Sequence, residues 1–104
     1  MAAVIRLRPE KEAQYRAMHA DTWPQVLRTL KEAGVSNYSI FLRDGMLFSY
    51  MEFDGDDFEA SMENMASDEA TKEWWMITGP CQQPLGTVTE EEWWAPAEEI
   101  FHLD

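Results

Sequence analysis

Residues 37–53 read NYSIFLRDGMLFSYMEF, two aromatic and apolar runs separated by an Asp-Gly pair. Runs of this composition are typical of β-strands, and Asp-Gly is a pair that tight two-residue turns favour. The stretch therefore predicts a β-hairpin with strands at 37–42 and 47–53. Because nearly every position in both strands is apolar or aromatic, we expect both faces of the sheet to be buried.

The sequence before the hairpin predicts one strand and two helical segments. Residues 4–8 alternate apolar and basic side chains, as a half-buried strand does, and a proline follows at a position that favours the first helical turn. Pro24 disfavours helical angles at the residue before it, so we expect a kink or a new helix there, with Asp21 or Thr22 as N-cap. The second segment is expected to end at Gly34.

The sequence after the hairpin predicts a second helical region and a last strand. Apolar residues in 58–65 recur at helical spacing, and Ser67 and Asp68 are expected to restart this helix, which continues to Gly79. Residues 80–96 contain three prolines and are expected to form an ordered loop. A short strand at residues 100–103 is then expected to close the sheet.

The order strand, helix, strand, strand, helix, strand is the split arrangement of the ferredoxin-like βαββαβ sandwich, an α+β fold. At 104 residues we expect one domain that covers 1–104. Helices on one face leave the other face of the sheet uncovered. Dimerisation through that face, which gives a dimeric α/β-barrel, is expected to cover it.

Charge and composition narrow the class of partner. The net charge is −12, and only one of the eight basic residues lies after residue 51. Such a surface repels phosphate, so neither nucleic acid nor an anionic membrane is an expected partner. The chain has a single cysteine and no signal-peptide pattern, which favours a cytoplasmic location. We expect a neutral small-molecule ligand, although the acidic excess also serves solubility alone.

Tyr15, His19 and Trp23 recur at steps of four in YRAMHADTWP, residues 15–24. In an unbroken helix they would project in nearly the same direction. An imidazole, whose ordinary pKa is about 6.5, suits proton transfer at neutral pH. A lone helical histidine is often structural, but three polar-tipped rings in one row favour a carbohydrate pocket with one acid/base.

Further aromatic residues are candidates for the same pocket. Adjacent helical positions diverge by about 100 degrees, so one indole of Trp74-Trp75 is expected to pack while the other meets a ligand. Tyr38 is expected to donate a hydrogen bond from the sheet, and Trp93-Trp94 to form an interface or a pocket lid. No motif for a nucleophile, a metal site or a phosphate loop is evident, so cofactor-free acid/base chemistry, with no metal, is expected.

Four short motifs together resemble those of the L-rhamnose mutarotases. They are Tyr15-x-x-x-His19-x-x-x-Trp23-Pro24, Asn37-Tyr38-Ser39-Ile40, Trp74-Trp75 and Glu99-Ile100-Phe101-His102-Leu103. The resemblance spans nearly the whole chain. It implies a ferredoxin-like homodimer in the cytoplasm that interconverts the α and β anomers of L-rhamnose. It also implies that His19 is the proton donor and that Tyr15, Tyr38, Trp74 and Trp75 bind the sugar.

Alternatives to this assignment stay open on the sequence. Residues 76–84 differ from the corresponding stretch of well-known family members, and Trp93-Trp94 is an addition. L-Fucose and other neutral or 6-deoxy hexoses therefore remain candidate substrates. A non-catalytic dimeric sugar-binding or sensor domain is the main rival, and a cofactor-independent oxygenase of similar architecture is a second. A titrating His19 beside Tyr15 argues against both rivals.

Overall fold

The computed structural model describes residues 1–86 and 92–104. The strands in these residues are β1 (Ala2–Leu7), β2 (Val35–Arg43), β3 (Met46–Phe53), β4 (Gln82–Gln83) and β5 (Ala95–Ala97). The helices are α1 (Glu12–Ala20), α2 (Pro24–Glu32), α3 (Phe58–Ala66) and α4 (Glu69–Thr78), with 3-10 turns at Pro9–Lys11 and Gly79–Cys81. The architecture confirms the prediction of an α+β ferredoxin-like fold.

The sheet is antiparallel and its strand order is β2-β3-β1-β4. The outer edge of β1 is shared, because β4 pairs with residues 6–7 and β5 with residues 2–4.

The prediction of a last strand at residues 100–103 is wrong, since these residues have no regular structure. The edge of β1 is already filled by β4 and β5 when the chain reaches Ile100, whose surface is 91% exposed. Part of the predicted 80–96 loop, residues 87–91, lies outside the described residues.

The central hairpin forms as predicted. Asp44 and Gly45 connect β2 to β3 with φ angles of 51° and 73°. Positive φ at both central residues is the type I′ geometry, whose twist matches that of the paired strands. The turn fixes Arg43 opposite Met46 and thereby sets the register of the hairpin.

A β-bulge interrupts β2 near its start. Val35 and Ser36 pair with Phe53 and Glu52, whereas Ser39 pairs with Tyr50, so β2 holds one extra residue between these pairs. Asn37 within the bulge has a φ of 46°, a left-handed conformation that asparagine tolerates better than most residues. An extra residue reverses the alternation of side chains along the strand. The bulge therefore places Tyr38 on the same face of the sheet as Val35.

The break between the first two helices differs in detail from the prediction. α1 ends at Ala20 and α2 begins at Pro24, so the predicted new helix start is confirmed and positions 15, 19 and 23 do not lie on one unbroken helix. Neither Asp21 nor Thr22 is the N-cap of α2, because that position is taken by Trp23, with φ −58° and ψ 130°. The following proline explains this, since it forces its predecessor into an extended conformation.

The start of α4 matches the prediction that Asp68 begins a helix. Its carboxylate accepts hydrogen bonds from the backbone N–H of Thr71 at 2.9 Å and from the Thr71 hydroxyl at 2.8 Å. These bonds hold the pKa of Asp68 below its ordinary value. Gln25 of α2 also donates to this carboxylate, at 3.2 Å. Asp68 therefore caps α4 and connects it to α2.

The two faces of the sheet differ in exposure. Ile5, Leu7 and Leu47 form the core with side chains from the helical face, and each is at most 3% exposed. On the opposite face Phe41 is 59% exposed and Tyr50 is 45% exposed. The prediction that both faces are buried therefore does not hold within a single chain.

Candidate active site

A cavity of about 710 Å³ lies between the helices and the inner face of the sheet. This volume is in the range of small-molecule sites. Its lining is mostly apolar and aromatic, and in the part of the chain that the structure describes it includes no Asp, Glu, Lys or Arg. All five predicted site residues line it: Tyr15, His19, Tyr38, Trp74 and Trp75.

The imidazole of His19 is held by its own helix. Its Nδ1 lies 2.9 Å from the backbone carbonyl oxygen of Tyr15, one turn earlier. A carbonyl oxygen only accepts hydrogen bonds, so Nδ1 carries a hydrogen and donates it. In the neutral imidazole, Nε2 is therefore the ring nitrogen without a hydrogen. His19 lines the cavity, and its Nε2 has no hydrogen-bond partner among residues 1–86 and 92–104.

Tyr15 is buried beneath His19. The centroids of the two rings are 4.1 Å apart, with planes inclined at 30°. Only 5% of the Tyr15 surface is exposed, and its hydroxyl accepts a hydrogen bond from Nε2 of Gln82 at 3.1 Å. Burial raises the pKa of Tyr15 to about 12, although the Gln82 hydrogen bond opposes the shift. At neutral pH Tyr15 is thus a neutral phenol, whose hydroxyl is able to donate a hydrogen bond.

Gln82 connects Tyr15 to a tryptophan that follows the undescribed residues. The indole N–H of Trp93 donates to Oε1 of Gln82 at 2.7 Å. Sequence analysis missed Gln82 because its partners are 67 and 11 positions away in the chain, so no local pattern marks it. Trp93 and Trp94 both line the cavity, where Trp94 also packs against the core.

The adjacent tryptophans of α4 have different environments, as the helical angle between them predicts. Trp74 is 5% exposed and its ring makes edge contacts with His19 and Trp23, at centroid distances of 5.3 and 5.2 Å. Trp75 is 42% exposed, although it too lines the cavity. Trp23 thus reaches this aromatic cluster despite lying outside α1.

Tyr38 reaches the cavity from β2 because of the bulge at Asn37. Although 38% of its surface is exposed, desolvation raises the pKa of its hydroxyl. The two observations agree if the ring is partly exposed while the hydroxyl is turned inwards. Tyr38 also contributes to the raised pKa of Tyr15, so the two phenols lie near one another. The cavity therefore combines an imidazole, two neutral phenols and several indoles.

One residue of the motifs quoted above, His102, lies outside the cavity. His102 is exposed and contacts Glu99 and Asp104 at 3.3 and 2.8 Å, and it does not line the cavity.

Across residues 1–86 and 92–104, no three His, Cys, Asp or Glu side chains converge into a group suited to a metal ion. None of the helices in the same residues has the length and apolar character needed to cross a membrane.

Comparison with solved structures agrees with this fold. The chain superposes on the L-rhamnose mutarotase of Formosa agariphila with a TM-score of 0.74 and 26% identity, covering 99% of this chain and 96% of that one. It also resembles tetracenomycin F2 cyclase of Streptomyces glaucescens, with a TM-score of 0.67 and 21% identity over 100% of this chain and 99% of the other. At that identity the second similarity supports the fold alone.

Sequence comparison is more specific. The chain is 32% identical to the L-rhamnose mutarotase of Lactiplantibacillus plantarum, in an alignment that covers 100% of this chain and 97% of the relative. It is 30% identical to that of Bacillus subtilis, over 99% and 96% of the two chains. The family model described as L-rhamnose mutarotase matches residues 1–103. The chain therefore belongs to the L-rhamnose mutarotase family.

Proposed function

We propose that this protein interconverts the α and β anomers of L-rhamnose and that His19 is its proton donor. The observation that carries the assignment is the His19 imidazole, which lines an apolar and aromatic cavity. Its Nδ1 donates to a backbone carbonyl, and its Nε2 has no hydrogen-bond partner in the part of the chain that the structure describes. Membership of the family supplies the reaction class and the expected sugar.

Mutarotation needs ring opening, rotation about the C1–C2 bond and closure on the other face. As imidazolium, His19 gives its Nε2 proton to the ring oxygen while O1 loses a proton and the bond between C1 and the ring oxygen breaks. The Nδ1 hydrogen bond persists in both protonation states, so the ring keeps its orientation. Closure returns the proton to Nε2. The O1 proton passes to water, because both phenols of the cavity are already protonated, and O1 takes a proton back from water when the ring closes.

The remaining predicted site residues act as sugar contacts in this proposal. Tyr15 and Tyr38 are neutral phenols near one another, suited to hydrogen bonds with sugar hydroxyls. Trp74 and Trp75 supply apolar indole surface for the C–H face and the methyl group of a deoxysugar. Because the described lining contains no charged side chain other than a protonated imidazole, it favours a neutral ligand over a sugar phosphate or a sugar acid.

Exchange NMR on the anomeric protons of L-rhamnose tests the activity, with L-fucose and D-glucose measured alongside. We expect wild-type protein to accelerate exchange of L-rhamnose or of a related 6-deoxyhexose most strongly. His19→Ala should lose the acceleration while retaining sugar binding, which distinguishes a mutarotase from a non-catalytic sugar-binding domain. Absence of acceleration with every sugar would contradict the proposal.

We also propose that the protein is a single-domain cytoplasmic homodimer joined through the open face of the sheet. Phe41, Phe48 and Tyr50 expose apolar surface on that face, 59%, 41% and 45% respectively. A second copy of the chain covers them most simply, because a two-fold interface pairs the same patch with itself. Sedimentation velocity should give a dimer for wild type and a monomer for Phe48→Asp. A monomeric wild type would contradict the dimer.

A further inference from the structure

Gln82 and Trp93 lie among the predicted sugar contacts in the cavity. Gln82 is 6% exposed and follows the 3-10 turn at Gly79–Cys81, while Trp93 lies beyond the undescribed residues. Both line the cavity. The hydrogen bond from Trp93 to Gln82 and the one from Gln82 to Tyr15 form one chain, and the direction of each bond can be assigned.

The direction follows from the chemistry of the three groups. An indole N–H only donates, so the Gln82 atom 2.7 Å from Trp93 Nε1 is the carbonyl oxygen of the side-chain amide. The other end of the amide, its NH₂ group, must then face Tyr15, whose hydroxyl oxygen accepts the bond at 3.1 Å. The hydrogen of the Tyr15 hydroxyl is not used in this chain of bonds. No group among the described residues, 1–86 and 92–104, accepts it, so a ligand oxygen in the cavity is a suitable acceptor.

We propose that Gln82, oriented by Trp93, is a positioning residue that makes Tyr15 a hydrogen-bond donor to a sugar oxygen. The proposal rests on the assignment of Tyr15 as a sugar contact. With the amide reversed, Tyr15 would donate to Gln82 and present only its oxygen to the ligand. Trp93 prevents this reversal, because a reversed amide would bring two donors together.

Gln82→Glu tests the direction of the bond with almost no change in size. When ionised, the introduced carboxylate still accepts from Trp93, but it also accepts from Tyr15 and so withdraws the phenol hydrogen from the sugar. When protonated, the same carboxyl group donates to Tyr15 as the amide does. We therefore expect KM for L-rhamnose to match wild type at acidic pH and to rise roughly 3- to 10-fold above it as the carboxyl ionises.

Dividing the KM of Gln82→Glu by that of wild type at each pH cancels the effects of the ionisable groups that both proteins share. His19, Tyr38 and Cys81 lie near Tyr15 and are present in both proteins, so the ratio of KM values isolates the introduced carboxyl group. Gln83→Glu is the matched control, because Gln83 is the exposed neighbour of Gln82 in β4 and does not line the cavity. The ratio of the KM of Gln83→Glu to that of wild type should stay near one at every pH. A purely structural role for Gln82 would give a ratio that does not follow pH.

Tyr15→Phe separates this inference from the proposed function. Turnover by wild type together with a raised KM in Tyr15→Phe would establish the activity and the sugar contact. Gln82→Glu should then cause no further rise in KM when it is introduced into the Tyr15→Phe variant. An equal KM in Gln82→Glu and wild type at every pH, or a penalty that persists without the Tyr15 hydroxyl, would overturn the positioning role while leaving the activity intact.

Trp93→Phe supplies a second test that keeps the buried amide. This variant removes the indole N–H from a side chain that is 47% exposed, so the fold should tolerate it. Without that donor Gln82 is free to reverse, and we expect KM to rise roughly 2- to 5-fold with kcat nearly unchanged. An unchanged KM would contradict the role of Trp93 in orienting the amide.

Discussion

The Nδ1 atom of His19 donates a hydrogen bond to the backbone carbonyl oxygen of Tyr15 at 2.9 Å. The same two residues also have their rings 4.1 Å apart. Spacing of four along α1 produces both contacts, since each residue lies one turn from the other. The helix therefore fixes the imidazole tautomer through one of its own backbone carbonyls, and Nε2 is the ring nitrogen that the proposed proton transfer uses.

Replacement of His19 by Asn tests the role of Nε2 while leaving an amide N–H able to reach the Tyr15 carbonyl. We expect anomer exchange to fall roughly 10²- to 10⁴-fold, the range attributed to a general acid or base. Sugar affinity, measured by isothermal titration calorimetry, should stay close to wild type. Turnover at the wild-type rate in His19→Asn would contradict the assignment of His19 as proton donor.

The bulge at Asn37 gives a second prediction. Asn37→Val places a β-branched residue at a φ of 46°, which costs roughly 1–2 kcal/mol. Loss of the bulge would relieve this strain but turn Tyr38 to the opposite face of the sheet. We expect a lower melting temperature and a higher KM for the sugar.

Asn37→Gly is the matched control for this position, since glycine adopts positive φ without strain. It should retain the sugar affinity of wild type. A normal KM in Asn37→Val would show that Tyr38 does not depend on the bulge, or that it does not contact the sugar.

The elements with strong local signals were predicted well. The Asp-Gly turn, the proline at the start of α2 and the Asp68 cap each act within a few residues, so the sequence displays their causes directly. The last strand was placed wrongly because its pairing depends on which segments reach the edge of β1 first. Residues 100–103 compete with β4 and β5 for the same edge of β1, and their apolar pattern alone does not reveal the outcome.

For the candidate site, too, the sequence predicted the contacts that depend on local spacing, and it missed the contacts of Gln82 with distant parts of the chain. The spacing of Tyr15 and His19 along α1 was sufficient to predict their proximity, and the structure brings Trp74 against His19 as well. Gln82 was missed because both of its side-chain partners come from distant parts of the chain. No pattern within residues 80–86 distinguishes its buried amide from the exposed amide of Gln83.

Truncation of Trp74 should mainly reduce stability and truncation of Trp75 should mainly reduce sugar affinity, because only Trp74 is buried. Trp74→Ala leaves a cavity in the aromatic cluster and is expected to destabilise the fold by about 3–5 kcal/mol. Trp75→Ala should change the free energy of unfolding by no more than about 0.5 kcal/mol and instead weaken sugar binding. Urea unfolding and sugar titration of both variants measure the two effects. Equal losses of stability would contradict this division.

Asp68 provides a stability prediction that depends on acid. Its pKa is lowered chiefly by hydrogen bonds from Thr71, so its contribution to folding is present above the ordinary pKa of 3.8 and is lost as pH falls through the folded value. Asp68→Ala should melt at a lower temperature than wild type at pH 7, with the difference shrinking below pH 3.8. Asp68→Asn keeps a capping oxygen and should show the weaker effect. A difference independent of pH would contradict the ionic contribution.

Tyr15 predicts a loss of stability at the opposite end of the pH scale. Burial raises its pKa from 10.0 to about 12, so the folded state holds the phenol proton more tightly than the unfolded state. The resulting stability is present below about pH 10 and is lost as pH rises towards about 12, by about 2–3 kcal/mol in total. Urea unfolding of wild type across this alkaline range should show the decline.

Substitution of the phenols assigns that decline to its source. In Tyr15→Phe the decline should be smaller but not absent, because the pKa of Tyr38 is also raised by desolvation. Tyr50→Phe, which alters a phenol on the open face, should leave most of the decline in place. An identical alkaline profile for Tyr15→Phe and wild type would show that the Tyr15 hydroxyl is not desolvated in the folded protein.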